Sequence, residues 1–242
     1  MSRLYLIPTP ITPEYSFGSF SNNFPAESKN IRTFFVENEK SARQALKKIW
    51  PDFPIGDCQF ILLNEHSSIE ESLKFIRSKK EETLGILSEA GLPCVADPGA
   101  EVVLEAHRLG MEVVPLIGPS SIYLALMASG LTGQRFAFHG YLSKNKDERI
   151  KKLKALEQMS LREGQSQIFM ETPYHNQSIW DEILQTLGEE TFVCLAVDIT
   201  APTQFIQTRT IREWKKIPPP NIHKRPALFL IENLKKLPIT KK

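Results

Sequence analysis

"TLGILSEAGLPCVADPGAEVVLEAHRLG", residues 83–110, is the stretch on which the fold turns. A short apolar run from Thr83 to Leu87 gives way to twelve residues that hold two glycines, two prolines and two acids, with no lysine or arginine. A segment with helical spacing follows. Glycine reaches positive φ and lets a backbone approach a neighbour closely, while proline fixes the direction of a turn. Two turns in succession, where one short loop would connect strand to helix, predict a loop that forms the wall of a site. "PLIGPSS", residues 115–121, repeats the pattern after the next apolar run.

On either side of this stretch apolar runs alternate with helical patterns. "RLYLIP" (3–8), "IRTFFVE" (31–37), "CQFILLN" (58–64), "TLGILS" (83–88) and "EVVPLIG" (112–118) read as strands. A loop rich in Ser, Asn and Pro follows the first of them to about Asn30. "EKSARQALKKIW", "SIEESLKFIRSKK" and "AEVVLEAHRLG" read as the intervening helices. Continuously apolar strands alternating with amphipathic helices predict a parallel sheet covered on both faces. The helix "SSIYLALMASG" ends at Gly130, where a hinge is expected. Beyond it come "FAFHGYL", the charged helix "KNKDERIKKLKALEQM", "SQIFMET", the helix "HNQSIWDEILQTLG", a hairpin of "TFVCLAVDIT" and "QFIQTRTI" around Ala201-Pro202, and a last strand "RPALFLIEN". Strands run close together here, which predicts a mixed sheet. The expected fold class is α/β, with two α/β domains: residues 1–118 around a mainly parallel sheet and 119–242 around a mixed one, with a ligand cleft between them.

Composition narrows the function without naming it. The chain of 242 residues is 41% apolar and 24% charged, as in a globular protein able to bury its own core. A net charge of +2 argues neither for nor against a nucleic-acid partner. No apolar run approaches the ~20 residues needed to span a bilayer, and the apolar start "MSRLYLIPTPITP" is broken by Pro8, Pro10 and Pro13, so neither a signal peptide nor a membrane partner is expected. Cys58, Cys94 and Cys194 are odd in number, far apart and beside apolar runs, which reads as reduced thiols in a cytoplasmic protein. There is no CxxC and the five histidines are scattered, so no metal is expected.

In open α/β sheets ligands bind beyond the carboxyl ends of the strands. "IPTPITP", "SEAGLPCVADPG" and "IGPSS" all fall at such ends. Ser120 and Ser121 open a helix, whose dipole favours anions. The alternative is that "GPSS" is a helix cap and "ADPG" a turn. Neither GxGxxG nor GxxxxGK is present, which removes the usual dinucleotide and phosphate-loop readings.

The segments "LYLIPTPI", "NEHS", "SEAGLPCVADPG", "GMEVVPLIGPSSIYLALMASGL", "RFAFHGYL", "IFMETPYH" and "RPALFLIE" together resemble the tetrapyrrole methylase family, two-domain methyltransferases that use S-adenosylmethionine. Within it they are most similar to members that methylate a ribose 2′-hydroxyl of a cytidine in small-subunit (16S) ribosomal RNA. The resemblance implies S-adenosyl-L-methionine as cofactor, RNA or the assembled small subunit as partner, and a homodimer. It implies a cofactor pocket walled by Pro8, Ser88, Ala90, Gly91, Leu92, Val95, Ala96, Asp97, Ser120, Ser121, Met170, Ala196 and Ala227.

The sequence departs from those RNA-modifying members in its substrate half. "PTPITPEYS" stands where they carry Gly-Asn. "FVENEKSAR" keeps Glu37 but lacks the aspartate and threonine of their acidic stretch, and "VDITA" (197–201) lacks the basic residues found there. Glu37, at a strand end, is the expected catalytic residue, since a ribose hydroxyl is a poor nucleophile until a base takes its proton. Its alternative is an N-cap acid for the helix starting near Glu39, and Asp97 has the same alternative for the helix that follows it. Glu171 is read as ordering the rim of the cleft. His139 and His175 are read as structural, and Trp180 and Trp214 as core. "KNKDERIKKLK" (144–154) offers Lys151, Lys152 and Lys154 to an RNA backbone, with a solvated helix face as the alternative. Two other functions remain open: a family enzyme acting on a small substrate such as a tetrapyrrole, and a non-catalytic protein that binds S-adenosylmethionine.

Overall fold

The computed structural model describes residues 2–12 and 24–233. The chain divides into two compact units, Met1–Ser120 and Ser121–Lys242, so the division falls at the start of the "SSIYLALMAS" helix and not at Gly130. Of the loop expected up to Asn30, residues 13–23 lie outside the described residues, and Ala26–Asn30 form a short 3₁₀ helix.

The first unit runs β1 (Arg3–Ile7), β2 (Thr33–Val36), α1 (Glu39–Ile49), β3 (Gln59–Leu62), α2 (Ile69–Ser78), β4 (Leu84–Leu87), α3 (Ala100–Arg108) and β5 (Glu112–Pro115). Its sheet has the order β3-β2-β4-β1-β5, with every pairing parallel. Alternate residues of a strand face opposite sides of a sheet. Tyr5, Ile7, Phe34, Val36 and Leu87 therefore pack on one side with Ala42, Leu46 and Ile49 of α1. Leu4, Phe35, Leu84 and Ile86 pack on the other with Ile76 of α2 and Val102 and Ala106 of α3. Both faces of the parallel sheet are covered, as the continuous apolar strands predict.

Caps set the helix starts. Asn38 accepts hydrogen bonds from the backbone N–H of Lys40 and Ser41, at 2.9 and 3.1 Å, and begins α1. Ser68 accepts from Glu71 N at 3.4 Å and begins α2.

The second unit runs α4 (Ser121–Ser129), β6 (Phe136–Tyr141), α5 (Lys146–Glu163), β7 (Ser166–Met170), α6 (Asn176–Thr186), β8 (Phe192–Val197), β9 (Phe205–Thr210), α7 (Ile211–Trp214) and β10 (Ala227–Glu232). Its sheet has the order β6-β7-β10-β8-β9. Only β6 and β7 are parallel in it, so it is the mixed sheet expected. β8 and β9 form the predicted hairpin. On one face Leu153 and Leu156 of α5, Ile179, Trp180 and Ile183 of α6, and Trp214 of α7 pack on Phe169, Leu195 and Phe229. Trp180 and Trp214 meet edge to face with centroids 4.9 Å apart, so both tryptophans are core. On the other face α4 packs through Ile122, Ala125 and Leu126 on Ile168, Cys194, Ala196 and Leu228.

The basic stretch of α5 needs one correction. Lys144, Lys146, Lys151, Lys152 and Lys154 are exposed, but Arg149 is buried. Its guanidinium grips Glu182 of α6 through two bonds of 2.6 Å and donates to the backbone O of Ser143 and Lys144. Arg149 clamps two helices and is absent from the exposed basic face.

Candidate functional site

The strand order creates a crevice in the first unit. From β1 the chain passes β4 to reach β2, and from β4 it passes β1 to reach β5. The loops leaving these adjacent strands therefore diverge, and ligands of open α/β sheets bind at such a point.

The three loops there are tied to each other. Thr9 and Gly91 exchange backbone hydrogen bonds of 2.9 and 3.1 Å. The Thr9 hydroxyl donates to the Ser88 carbonyl at 3.2 Å, and the Ser88 hydroxyl donates to the Gly91 carbonyl at 2.7 Å. Ser88, read as a cofactor residue, thus spends its hydroxyl on the loop itself. Gly118 lies so close to Pro8 that a Cβ there would sit 2.2 Å from the proline Cβ. A Cβ on Gly91 would lie 3.4 Å from the Pro119 carbonyl oxygen.

The backbone of the β4–α3 loop is strained. Gly91 and Gly99 have φ of 87° and 123°, and between them Cys94 and Ala96 adopt φ of 66° and 62°. Non-glycine residues rarely enter this region, and such strain concentrates at binding sites. Ala90, Val95 and Ala96 are exposed on this loop, whereas Pro8 and Ser88 are buried and Leu92 and Asp97 half-buried. Ser120 and Ser121 stand where α4 begins.

Three carboxylates gather at the same strand ends. Glu37 follows β2 and Asp97 lies in the β4–α3 loop, and both line one recess with Phe35, Leu63, Ile86 and Pro93. Glu37 Oε1 and Asp97 Oδ2 are buried with no hydrogen-bond partner among the described residues. Neither acid is a helix cap: Asn38 caps α1, and Gly99 precedes α3 without any side-chain cap. Glu89 accepts a hydrogen bond from the Ser41 hydroxyl of α1.

Burial, and then the charge of Glu89, raises the Glu37 carboxyl above its ordinary value. Burial, followed by the charges of Glu37 and Glu89, pushes the Asp97 carboxyl up to about 7. The consequence for stability has a definite sign. Between the ordinary value of 3.8 and about 7 the folded protein keeps a proton that the unfolded chain releases. Stability therefore falls as pH rises through that window and levels off above it. Asp97→Asn removes this loss. The variant is expected to be more stable than the parent at pH 8 by about 1–2 kcal/mol, the linkage value being reduced for partial solvation. Urea midpoints at pH 5 and pH 8 check it; a gain of equal size at both pH values contradicts the assignment.

In the second unit Met170, Ala196 and Ala227 gather at one end of the sheet. Leu228 pairs with Met170 on one side and Ala196 on the other, and Ala227 pairs with Val197. Glu171 follows Met170 and is buried; its Oε1 accepts from Thr172 N at 2.7 Å, while Oε2 has no partner among the described residues. His139 Nε2 lies 2.7 Å from Gln167 Oε1, and burial lowers its imidazole below the ordinary value. His175 occupies the N-cap position of α6 without a side-chain cap bond. Lys151, Lys152 and Lys154 stand exposed on α5.

The family model for Tetrapyrrole (Corrin/Porphyrin) Methylases matches residues 29–215. The chain belongs to this family. Among curated tetrapyrrole methylase relatives, it is 30% identical to a Ribosomal RNA small subunit methyltransferase I of Bacillus subtilis over 78% of this chain and 61% of that protein. It is likewise 30% identical to the protein of that name from Haemophilus influenzae, over 72% of this chain and 61% of the relative. The matched stretch thus spans about three fifths of these relatives' length. Among solved structures the fold is similar to diphthine synthase, with a TM-score of 0.64 at 14% identity, covering 96% of this chain and 90% of that one.

Thr9 is the residue of this loop cluster that the sequence did not single out, since it joins the first loop to the second. Its signal was present: a hydroxyl between two prolines directly after an apolar strand. Among the described residues no helix is long and apolar enough to cross a membrane, and no group of His, Cys, Asp and Glu could hold a metal ion.

Proposed function

We infer that the protein is an S-adenosylmethionine-dependent methyltransferase whose substrate is a ribose 2′-hydroxyl of a cytidine in small-subunit ribosomal RNA. One observation carries the reading: Glu37 and Asp97, both raised, hold buried oxygens without partners beside loops built for close backbone approach. Unpartnered buried carboxylate oxygens cost stability, which a protein tolerates where a ligand or reaction uses them. The names of the relatives support RNA as substrate. The protein is read as cytoplasmic and homodimeric.

The residues fit such a cofactor. The buried acceptor at Asp97 suits a ligand rich in hydroxyl and ammonium donors. In the first unit the backbone from Ser88 to Leu92 and from Val95 to Asp97, with Pro8 beside it, would hold it. When bound, the cofactor supplies a methyl carbon on a positively charged sulfur. Glu37 would take the proton of the ribose hydroxyl as the new oxygen–carbon bond forms and the sulfur–carbon bond breaks, the leaving group being the neutral thioether. The raised value of its carboxyl brings it closer to neutrality, where a base is most effective.

Two measurements test the proposal. S-adenosylmethionine or its demethylated product should raise the melting temperature, since a ligand that binds only the folded state stabilises it. Labelled methyl should pass to assembled small subunits or to their deproteinised RNA. A melting temperature unmoved at millimolar cofactor overturns the pocket, and binding without transfer leaves a non-catalytic binder. Changing Lys151, Lys152 and Lys154 together to Gln should weaken RNA binding across sequences and flatten its salt dependence, with cofactor binding unchanged. Filter binding between about 50 and 200 mM salt, a range over which about six to ten phosphate contacts together lose roughly 10³–10⁵ in affinity, reads the outcome.

A further inference from the structure

We propose that the groove between α1 and the segment following β1 binds one nucleotide unit of single-stranded RNA. The inference rests on the RNA-modifying reading above and identifies where that substrate would lie. The groove encloses about 300 Å³, with Ser41, Gln44, Ala45 and Lys48 on one side, residues 9–12 on the other, and Glu89 at one end.

The α1 residues fall at helical spacing, so one face of the helix presents hydroxyl, amide, methyl and ammonium in order along about 10 Å. The buried residues Ala42, Leu46 and Ile49 of the same helix face the core, which holds this face in place. Each group has a counterpart on a nucleotide. The Gln44 amide is exposed, makes no hydrogen bond among the described residues, and carries the donor and acceptor that read a base edge. Ile11 and Ala45, both half-buried, offer apolar surface to a base face. Lys48 offers a cation to phosphate, and Ser41 with Glu89 offers acceptors to sugar hydroxyls.

The groove also adjoins the site already described. Glu89 belongs both to the groove and to the acidic group that acts on Glu37 and Asp97. Thr9, on the opposite wall, is the residue that ties the first loop to Ser88 and Gly91. A nucleotide seated here would have its sugar at the carboxylate end and its phosphate toward Lys48. This polarity follows from charge alone.

The test is a titration of isotopically labelled protein with cytidine 5′-monophosphate, followed by amide chemical shifts, with inorganic phosphate as the control. Saturating shifts are expected at Thr9, Ile11, Gln44, Ala45 and Lys48. Gln44→Ala should weaken the nucleotide about fivefold and Lys48→Ala about tenfold or more. Both positions are exposed, and a retained melting shift with S-adenosylhomocysteine shows that the variants fold. Shifts confined elsewhere, no response at millimolar nucleotide, or an equal response to inorganic phosphate overturns the proposal. Methyl transfer to RNA is read separately. Transfer without nucleotide binding in the groove removes this site alone, and nucleotide binding without transfer keeps the site and removes the enzymatic reading.

Discussion

Glu37→Gln is expected to slow methyl transfer by roughly 10²-fold or more while leaving the cofactor-induced melting shift in place. The substitution keeps the size and hydrogen-bonding capacity of the side chain and removes its ability to accept a proton. It also removes one of the charges that raise Asp97, so that carboxyl should titrate lower in the variant. In the parent enzyme the rate should rise with pH as the raised Glu37 carboxyl ionises. That limb should vanish in Glu37→Gln. Because the acids interact, the profile reports values belonging to the group, and Asp97→Asn measured alongside separates the two contributions. Full-rate transfer by Glu37→Gln would remove Glu37 from the chemistry and leave the pocket intact.

Arg149→Ala should destabilise the second unit by roughly 3–5 kcal/mol, because it leaves Glu182 charged, buried and without its partner. The side chains of the pair are only 7% and 5% exposed, so water cannot replace the lost guanidinium. Two carbonyls at the start of α5, those of Ser143 and Lys144, lose a donor as well. Replacing both members with apolar residues of similar volume, Arg149→Met with Glu182→Leu, should recover most of the loss. Urea unfolding of the three variants decides the matter. A loss below about 1 kcal/mol in Arg149→Ala would be the value of a solvated surface pair.

That arginine illustrates what the sequence could and could not disclose. The strands were legible because their apolar runs are continuous, and the helices because Ala42, Leu46 and Ile49 of α1, and Val102 and Ala106 of α3, recur at helical spacing. The turns around Gly91 and Gly99 were legible because glycine and proline mark them. Arg149 sits among lysines, and only its register with Leu153 and Leu156 sets it apart; its partner Glu182 comes from the next helix and could not be read from the sequence. The positive φ of Cys94 and Ala96 was equally hidden, since neither residue favours that conformation. The capping question around Glu37 could have been answered from residue types, because Asn38 stands beside it and asparagine is among the strongest caps. The loss of partners at Glu37 Oε1 and Asp97 Oδ2 could not, since it depends on which walls close around them.

The two strand orders have a consequence for how the chain reaches this state. β1 lies between β4 and β5, with Leu4 opposite Leu84 on one side and Val113 on the other. A strand made early in synthesis therefore has no neighbour until most of the first unit has been made. In the second unit β10 enters between β7 and β8, so the last described strand completes the interior of its sheet. Pairings between distant parts of a chain form slowly and leave strand edges open while they wait. Each unit should assemble late and abruptly, its helices and the β8–β9 hairpin preceding a single closing insertion. Shortening the chain as far as β1 or β10 would open the middle of a sheet and leave its edges in place.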